Sequence, residues 1–297
     1  PLSTNSGGNL VDIALIDGDI IAYRASVVVE GKEIDWDGDG DVTTIAPSPV
    51  AVRENTKSLV RNWTKMAGAK RQIVALSPRD GNTFRKHILP TYKSNREGNV
   101  KPELYNVALE TLESEFDILR LDGVEADDVL GISQTNPRLQ GRTVIVTIDK
   151  DMQGVPGLYF RPGRDVDGKP RLITQQTADY FWMIQTLVGD PVDGYKGAPG
   201  IGIKKAQTAL MAVPRTLDVM WPVVLKLFES KKLTLDDALT QARVARILRH
   251  TDYLSQEGKI RLWHPSKMMR ATLNLPLPSL RSIPPKPSPA SPPPPRS

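Results

Sequence analysis

Residues 9–19 of the chain, NLVDIALIDGD, form an apolar run that ends in Asp17 and Asp19, two aspartates separated by one glycine. A run of this composition predicts a strand buried on both faces, as in a parallel sheet that is covered by helices. Residues 71–77, RQIVALS, predict a second strand, which ends just before Asp80. We therefore expect a sheet whose strands lead directly into carboxylates.

Strand-like and helix-like segments alternate after this start. Residues 143–149, TVIVTID, are typical of a central parallel strand, whereas residues 20–29 fit either a helix or a second strand. The remaining segments are a helix within 52–69, a helix and short strand within 103–122, a helix that opens at 125, and a strand with a hairpin within 157–173. This alternation predicts an α/β fold with a twisted, mostly parallel central sheet flanked by helices.

Further carboxylates follow the predicted strands and loops in a fixed order. They are Asp80, Glu125, Asp127, Asp128, Asp149, Asp151, Asp190 and Asp193. Ligands of such sheets bind beyond the carboxyl ends of the strands, and carboxylates gathered there repel one another unless divalent cations neutralise them. Oxygen ligands without cysteine suit Mg²⁺ or Mn²⁺, and two such ions about 4 Å apart can clamp both the attacking water and the leaving oxygen of a phosphodiester.

Most of these acidic motifs also have a structural interpretation when taken alone. The pair Asp17 and Asp19 fits a turn after a strand, or the nucleophile loop of an aspartate-based phosphatase. Residues 125–128, EADD, would stabilise the start of a helix through its dipole and free amides. The acidic loop 35–41 fits the first positions of an EF-hand, but Ala46 stands where the bidentate glutamate belongs, so we expect an acidic surface loop.

The composition of the chain limits which binding partners and which cellular compartment we expect. The chain has 297 residues, a formal net charge of +5, three histidines and no cysteine, which excludes disulfides and thiolate metal sites. If metals neutralise the acidic clusters, the remaining surface is distinctly basic, which favours a polyanionic partner. We find no apolar run long enough to span a membrane and no signal peptide, so we expect no membrane association and a cytoplasmic location inside a bacterial host cell.

The chain changes character after Asp193. Residues 194–206, GYKGAPGIGIKKA, predict a glycine-rich turn that opens into a helix and can approach a nucleic-acid backbone. We expect four parts: a disordered lead-in at 1–9, an α/β core at 10–188, a helical DNA-binding region at 189–265, and a disordered Pro-rich tail at 266–297.

The ordered acidic motifs, followed by the glycine-rich turn, resemble the flap endonuclease and 5′→3′ exonuclease family of PIN-like nucleases. The resemblance covers residues 10–265. It is greatest for the short phage-encoded 5′→3′ exonucleases, with which the chain shares residues 84–97, FRKHILPTYKSNRE, and residues 245–265, ARILRHTDYLSQEGKIRLWHP.

This resemblance implies roles for individual residues. Asp17, Asp80, Glu125 and Asp127 would form a first metal site. Asp149, Asp151 and Asp193 would form a second one, with Asp128 and Asp190 as additional or water-mediated ligands. A helical arch at 81–102 would place Arg85, Lys93 and Arg96 as catalytic cations on the scissile phosphate. The DNA-binding set would be Tyr23, which stacks on a terminal base or else belongs to the core, with Lys93, Arg96, Gly197, Gly200, Gly202, Lys204 and Lys205.

The activity implied is that of a two-metal 5′→3′ exonuclease with flap endonuclease activity. It would act on duplex DNA ends, on 5′ flaps and on RNA in RNA–DNA hybrids, with two Mg²⁺ or Mn²⁺ ions and with K⁺ at a helix-turn-helix-like element. Two alternatives stay open: a phosphatase with Asp17 as its nucleophile, and a DNA-binding clamp that has lost its activity.

Overall fold

The structure is a computed structural model that describes residues 11–27, 32–35, 42–45, 48–96, 98, 100–165 and 167–266. The predicted lead-in at 1–9, positions 36–41 and 46 of the acidic loop, and the Pro-rich tail from residue 267 onward lie outside the described residues.

Ten strands are present in the described part of the chain. They are β1 (Ile13–Asp17), β2 (Lys32–Asp35), β3 (Val42–Ile45), β4 (Arg71–Ala75), β5 (Ile118–Leu119), β6 (Thr143–Val146), β7 (Gly157–Phe160), β8 (Arg171–Ile173), β9 (Tyr253–Leu254) and β10 (Lys259–Ile260). The central sheet has the order β5-β4-β1-β6-β7-β8, and only its edge pair, β7 and β8, is antiparallel. The predicted mostly parallel sheet is thus confirmed.

Nine helices accompany these strands within the described ranges. They are α1 (Gly18–Val27), α2 (Pro49–Met66), α3 (Phe84–Ile88), α4 (Tyr105–Glu115), α5 (Ala126–Gln134), α6 (Gln175–Val188), α7 (Ile203–Met211), α8 (Leu217–Glu229) and α9 (Leu235–Ala245). Helix α1 decides between the two interpretations for residues 20–27, because the chain turns into a helix directly after Asp17, whereas residues 28 and 29 lie outside the described part of the chain.

Helices cover both faces of the central sheet, as the apolar strands require. Side chains of β1 alternate: Ala14 and Ile16 join a core with α1, α2 and α4, whereas Ile13 and Leu15 face α5 on the other side. The four side chains are at most 1% exposed. Burial on both faces explains why the strand is apolar at every position up to Asp17, rather than at alternate positions.

The C-terminal helices form a separate core. Trp182, Trp221 and Trp263 meet edge to face, with ring centroids 4.9 and 5.0 Å apart, and join α6, α8 and the segment after β10. Helix α6 packs in this core. The domain boundary predicted at 188/189 would therefore separate α6 from the helices against which it packs. The helical region begins with α6.

The predicted arch has a different form. Within 81–102, the described residues contain the five-residue helix α3 and a single 3-10 turn at Ser94–Arg96. They do not form one continuous helix. We call residues 91–96 the strap, because they cross from α3 toward the loop at 190–194.

Candidate active site

Most of the predicted ligand carboxylates line one cleft of about 610 Å³. The acidic residues around it are Asp17, Asp19, Glu125, Asp127, Asp149, Asp151, Asp190 and Asp193. β1 and β6 run parallel and side by side, so the residues that follow them meet at the same edge of the sheet. The cleft lies where the sequence pattern predicted it, beyond the carboxyl ends of the parallel strands.

Asp17 forms the floor of the cleft. It is only 2% exposed, and its two oxygens accept hydrogen bonds from the backbone N–H of Ile20 at 3.1 Å and from Thr147 Oγ1 at 2.8 Å. Burial, together with the nearby charges of Asp19 and Asp149, raises the pKa of Asp17 to about 7. The protein therefore holds this carboxylate where its negative charge needs a compensating cation.

Asp127 is also a carboxylate whose negative charge needs a compensating cation. Burial and the charges of Asp149 and Asp17 raise its pKa well above the ordinary value. Burial also raises the pKa of Asp19, although Ser77 donates a hydrogen bond that acts in the opposite direction. Asp17, Asp19, Asp127 and Asp149 are therefore one electrostatically linked group.

A second group lies beside the first and shares Asp149 with it. Burial, with the charge of Asp149, raises the pKa of Asp151 to about 6, and Gln185 donates a hydrogen bond of 2.7 Å to Asp151 Oδ1. Asp190 and Asp193 complete the group from the loop after α6. Burial raises the pKa of Asp193, and the charges of Lys93 and Arg96 oppose that rise.

Two cations of the strap reach this acidic cleft. Lys93 Nζ lies 2.5 Å from Glu125 Oε1 and 4.0 Å from Asp193 Oδ2, and an Arg96 guanidinium nitrogen lies 2.5 Å from Asp193 Oδ1. Burial alone would raise the pKa of Glu125, but Lys93 and Arg85 outweigh it and lower the pKa to about 2. Tyr92 also donates a hydrogen bond to Glu125 Oε2 at 2.8 Å. That Lys93 and Arg96 hold a phosphate stays a prediction.

Arg85 also lines the cleft, but its donors are already used within the protein. It is 3% exposed, and its guanidinium donates to Asp128, to Glu125 and to the carbonyls of Val244 and Arg246. The prediction that it holds the scissile phosphate disagrees with this geometry, because each of its nitrogens already donates to a protein oxygen. Arg85 fastens α5 to the segment after α9.

Asp128 is also a correction. Its side chain is fully buried, and its oxygens accept hydrogen bonds from Arg85 and from the backbone N–H groups of Glu125 and Leu248. It does not line the cleft, in contrast to its neighbour Asp127. Asp128 is therefore a capping and ion-pairing residue rather than an additional ligand.

Asp80 lies apart from the cleft as well. It is exposed, and its Oδ1 accepts a hydrogen bond from the backbone N–H of Asn82 at 3.0 Å, which closes a local turn. Asp80 is not among the residues that line the cleft, although the adjacent Gly81 is, so its ligand role stays a prediction. Asp19 was part of the DGD motif but was left out of the predicted ligands, and it stands in the cleft instead.

Apart from Lys93 and Arg96, which line the cleft, the predicted DNA-binding residues lie outside it. Tyr23 is 54% exposed on α1, so its interpretation as a core residue is wrong. Lys204 and Lys205 are exposed in the first turn of α7. Gly202 is the N-cap of that helix, and Gly200 precedes it in the turn.

The glycine-rich turn packs closely on the end of α6. Gly197 has a φ of +62°, and a Cβ there would meet Gly189 N and Leu187 O at 2.5 Å. Its backbone N–H donates to Gln241 Oε1 at 2.8 Å, which ties the turn to α9. Only glycine allows this approach. The turn is therefore fixed on the end of α6 and on α9.

One lysine near this turn escaped the sequence analysis. Lys231 follows α8, and its Nζ lies 4.0 Å from the position of a Cβ on Gly200. Its neighbour Lys232 has a φ of +61°, a conformation rare for a residue with a side chain. No local pattern links residue 231 to residue 200, since the contact depends on how α8 packs against α7.

The side chains of the cleft fit a divalent metal ion by their chemistry. All donors are oxygens, and the raised pKa values of Asp17, Asp127 and Asp151 show carboxylates that lack a compensating charge. Within the described residues, no three acidic or histidine side chains are grouped as ligands of one ion. Instead, Lys93 and Arg96 contact Glu125 and Asp193. The donor set thus suits Mg²⁺ or Mn²⁺ once these cations give way.

A mostly parallel sheet with buried carboxylates at its carboxyl edge is the arrangement of a metal-dependent phosphodiester hydrolase. Residues 12–156 match the family described as "5′-3′ exonuclease, N-terminal resolvase-like domain". The similarity to this family covers residues 12–156, just under half of the chain.

Two phage relatives and two solved structures are similar to most of the chain. The chain is 27% identical to the exodeoxyribonuclease of Enterobacteria phage T3 and 27% identical to the exonuclease of Escherichia phage T7. Each comparison covers 85% of this chain and 93% of the relative. Among solved structures, a phage T5 protein co-crystallised with metal ions has a TM-score of 0.56 at 17% identity, over 80% of this chain and 89% of that one. The T5 flap endonuclease in complex with DNA and metal ions has a TM-score of 0.52 over 79% and 93%. These two likenesses concern the fold.

Within the described ranges, no helix is both long and apolar enough to cross a membrane.

Proposed function

We propose that this protein is a metal-dependent 5′→3′ exonuclease with structure-specific flap endonuclease activity on DNA. One observation carries the proposal: buried carboxylates from β1, α5, the turn after β6 and the loop after α6 converge in one cleft that also holds Lys93 and Arg96. The family description supports the direction, and the phage T3 exodeoxyribonuclease, which matches most of the chain, supports the polymer.

The two linked groups of carboxylates divide between two ions. We assign Asp17, Asp19, Asp127 and Asp149 to one ion and Asp151, Asp190 and Asp193 to the other, with Glu125 between the groups. Mg²⁺ or Mn²⁺ suits such oxygen donors. The chemistry that two divalent ions supply in such a site is activation of the attacking water and neutralisation of the departing 3′-oxygen.

The chain's own cations hold the substrate beside these carboxylates. The Lys93 side chain is 20% exposed and that of Arg96 is 44% exposed, so both retain donors for a phosphate. When the carboxylates bind ions, Lys93 and Arg96 lose their acidic partners and are free to donate to the scissile phosphate. This exchange excludes water from the phosphate and orients it.

Substrate choice depends on a second surface outside the cleft, formed by the start of α7 and the glycine-rich turn. Lys204 and Lys205 in α7, together with the glycine-rich turn, would contact the backbone of the duplex. Lys205 Nζ already donates to the Gly200 carbonyl at 3.3 Å, so this carbonyl is accessible to a cation, which supports K⁺ there. RNA in RNA–DNA hybrids is a further proposed substrate, since the phosphate contacts do not depend on the sugar.

The geometry argues against a phosphatase. An aspartate nucleophile must reach a phosphoryl group, whereas Asp17 is 2% exposed and both of its oxygens accept hydrogen bonds. The carboxylates also argue against an inactive clamp, because a clamp gains nothing from gathering eight repelling charges around one cleft.

The test uses a 5′ flap, a blunt duplex and an RNA–DNA hybrid, each labelled separately at either end. With Mg²⁺ or Mn²⁺ we expect release from the 5′ end and cleavage at the flap junction, with a 5′-phosphate on the shortened strand. With EDTA we expect no cleavage. Release from the 3′ end, a phosphorylated protein, or binding without cleavage in Mg²⁺ would each contradict the proposal.

A further inference from the structure

The strap has little apolar packing to hold it. Within residues 91–96, TYKSNR, Tyr92 is the buried apolar side chain, at 3% exposure. Ser94, Asn95 and Arg96 are exposed. Polar contacts must therefore fix the part of the strap that carries the two cations.

The backbone of the strap is strained where it enters the cleft. Lys93 has a φ of +54°, and a residue with a side chain rarely adopts this left-handed conformation. Such strain persists only where surrounding contacts fix the backbone. One of these contacts is the Lys93 N–H, which donates to the Asp193 carbonyl at 2.9 Å.

Asn95 provides the most extensive of the other contacts. Its side-chain amide donates to the Pro191 carbonyl at 3.1 Å and to the Val192 carbonyl at 3.2 Å. The Nε of Arg96 donates to the same Val192 carbonyl at 3.3 Å. The amide thus spans two successive peptide groups of the loop that carries Asp190 and Asp193.

Gly194 provides the surface on which the strap rests. Its φ is +75°, and a Cβ there would meet the Thr91 carbonyl at 2.7 Å and Lys93 N at 3.2 Å. The strap and the loop are in backbone contact, so any larger residue would push them apart. Asn95 and Gly194 act on the same contact from opposite sides.

We propose that Asn95, acting on the 190–194 loop, is the positioning residue that holds Lys93 and Arg96 over the carboxylate cleft. Within the described residues, its amide donates to backbone carbonyls and not to a carboxylate. Its amide fixes the strap to the loop, which keeps Lys93 in its strained conformation and directs the Arg96 side chain to Asp193. Placement of the cations is thereby tied to placement of the carboxylates that follow α6.

The first experiment needs neither metal nor substrate. Amide hydrogen exchange of the metal-free protein reports the Lys93 N–H, which binds Asp193 O, and the Arg96 N–H, which binds Lys93 O at 3.0 Å. We expect Asn95→Ala to accelerate exchange at both amides at least fivefold while the melting temperature stays within about 1 °C. Asn95→Asp, which keeps the shape but lacks the N–H donors, should behave in the same way.

The second experiment rests on the proposed nuclease function. We expect Asn95→Ala to lower kcat on a flap substrate about tenfold, and Asn95→Gln, which keeps the donors, to recover part of that loss. In a chain that already carries Lys93→Ala and Arg96→Ala, the same substitution should change kcat by less than twofold. A residue that acts only through these two cations must be non-additive with them.

Asn62→Ala is the matched control, because Asn62 is an exposed asparagine on α2 whose amide donates only to Ser58. It should leave exchange and kcat unchanged. Unaltered exchange at Lys93 and Arg96 in Asn95→Ala, or a further tenfold loss in the triple variant, would overturn the positioning role. If no variant cleaves DNA, the exchange result still decides whether Asn95 fixes the strap.

Discussion

Helix α3 and the strap lie in one short segment, and cations of both contact carboxylates at the cleft. They differ in whether those cations keep unused donors. Arg85, in α3, is 3% exposed and each of its nitrogens donates to a protein oxygen. Lys93 and Arg96, in the strap, have side chains that are 20% and 44% exposed and keep unused donors. The difference shows how to separate structural from functional cations: a saturated, buried cation holds the fold, and an unsaturated one at a cleft can exchange partners.

The largest expected effect tests whether Arg85 stabilises the fold. Arg85→Ala should lower the free energy of unfolding by about 3–5 kcal/mol, because it leaves the Asp128 carboxylate buried without its partner. Urea denaturation would measure this loss. A full loss of turnover with unchanged unfolding would instead restore the catalytic role that the sequence suggested for Arg85.

A double variant provides the control. Arg85→Met with Asp128→Leu removes both charges, so it should recover a large part of the lost stability. If it is no more stable than Arg85→Ala alone, the ion pair is not the reason for the loss.

The next effect concerns the carboxylates themselves. Asp149→Asn should reduce turnover about 100-fold or more, because it removes a charge shared by both carboxylate groups while retaining an oxygen that can accept the Asp151 N–H. Duplex affinity should change little, since the glycine-rich turn lies elsewhere. Steady-state kinetics and filter binding measure the two quantities. Asp122→Ala, at an exposed aspartate before α5, is the matched control, and more than a tenth of wild-type turnover in Asp149→Asn would refute the assignment.

The sequence predicted the position of the site well, for a physical reason. Short runs such as residues 13–16 and 143–146, rich in β-branched residues, favour buried strands, and the residues after parallel strands share one edge of the sheet. The order of the elements and the cleft follow from these patterns. No distant contact is needed to find them.

The individual assignments failed where a choice depends on tertiary packing. Asp127 and Asp128 are adjacent on α5, so about 100° of rotation separates them, and one faces the cleft while the other faces Arg85. The motif EADD cannot tell which is which. The motif around Asp80 likewise does not show that Asp80 accepts a local hydrogen bond from Asn82 rather than lining the cleft.

Substitution of the strap cations tests whether they act on the substrate. Lys93→Ala with Arg96→Ala should reduce turnover at least tenfold and lower the salt dependence of DNA binding by up to about two phosphate contacts. The melting temperature should remain unchanged, because both side chains are partly exposed. Binding titrations between 50 and 200 mM salt and steady-state kinetics provide the measurements.

The control for this pair must remove equal charge from a distant surface. Arg61→Ala with Lys65→Ala does so on the outer face of α2, where both residues are exposed. Equal losses in the two double variants would mean that total charge alone matters, and the strap would then have no specific role.

The smallest effect concerns the lysines after α8. Lys231 lies beside Gly200, so it extends the basic surface formed by Lys204 and Lys205 in α7. Lys231→Gln with Lys232→Gly should weaken duplex binding about three- to tenfold near 0.2 M salt, since each lost phosphate contact lowers the salt slope by about one. Glycine at 232 retains the left-handed backbone there, which keeps the turn intact. Turnover at saturating DNA should stay at the wild-type level, because neither lysine lines the cleft. A fall in turnover without a change in affinity would mean that this turn acts on the cleft through the helices rather than on the DNA.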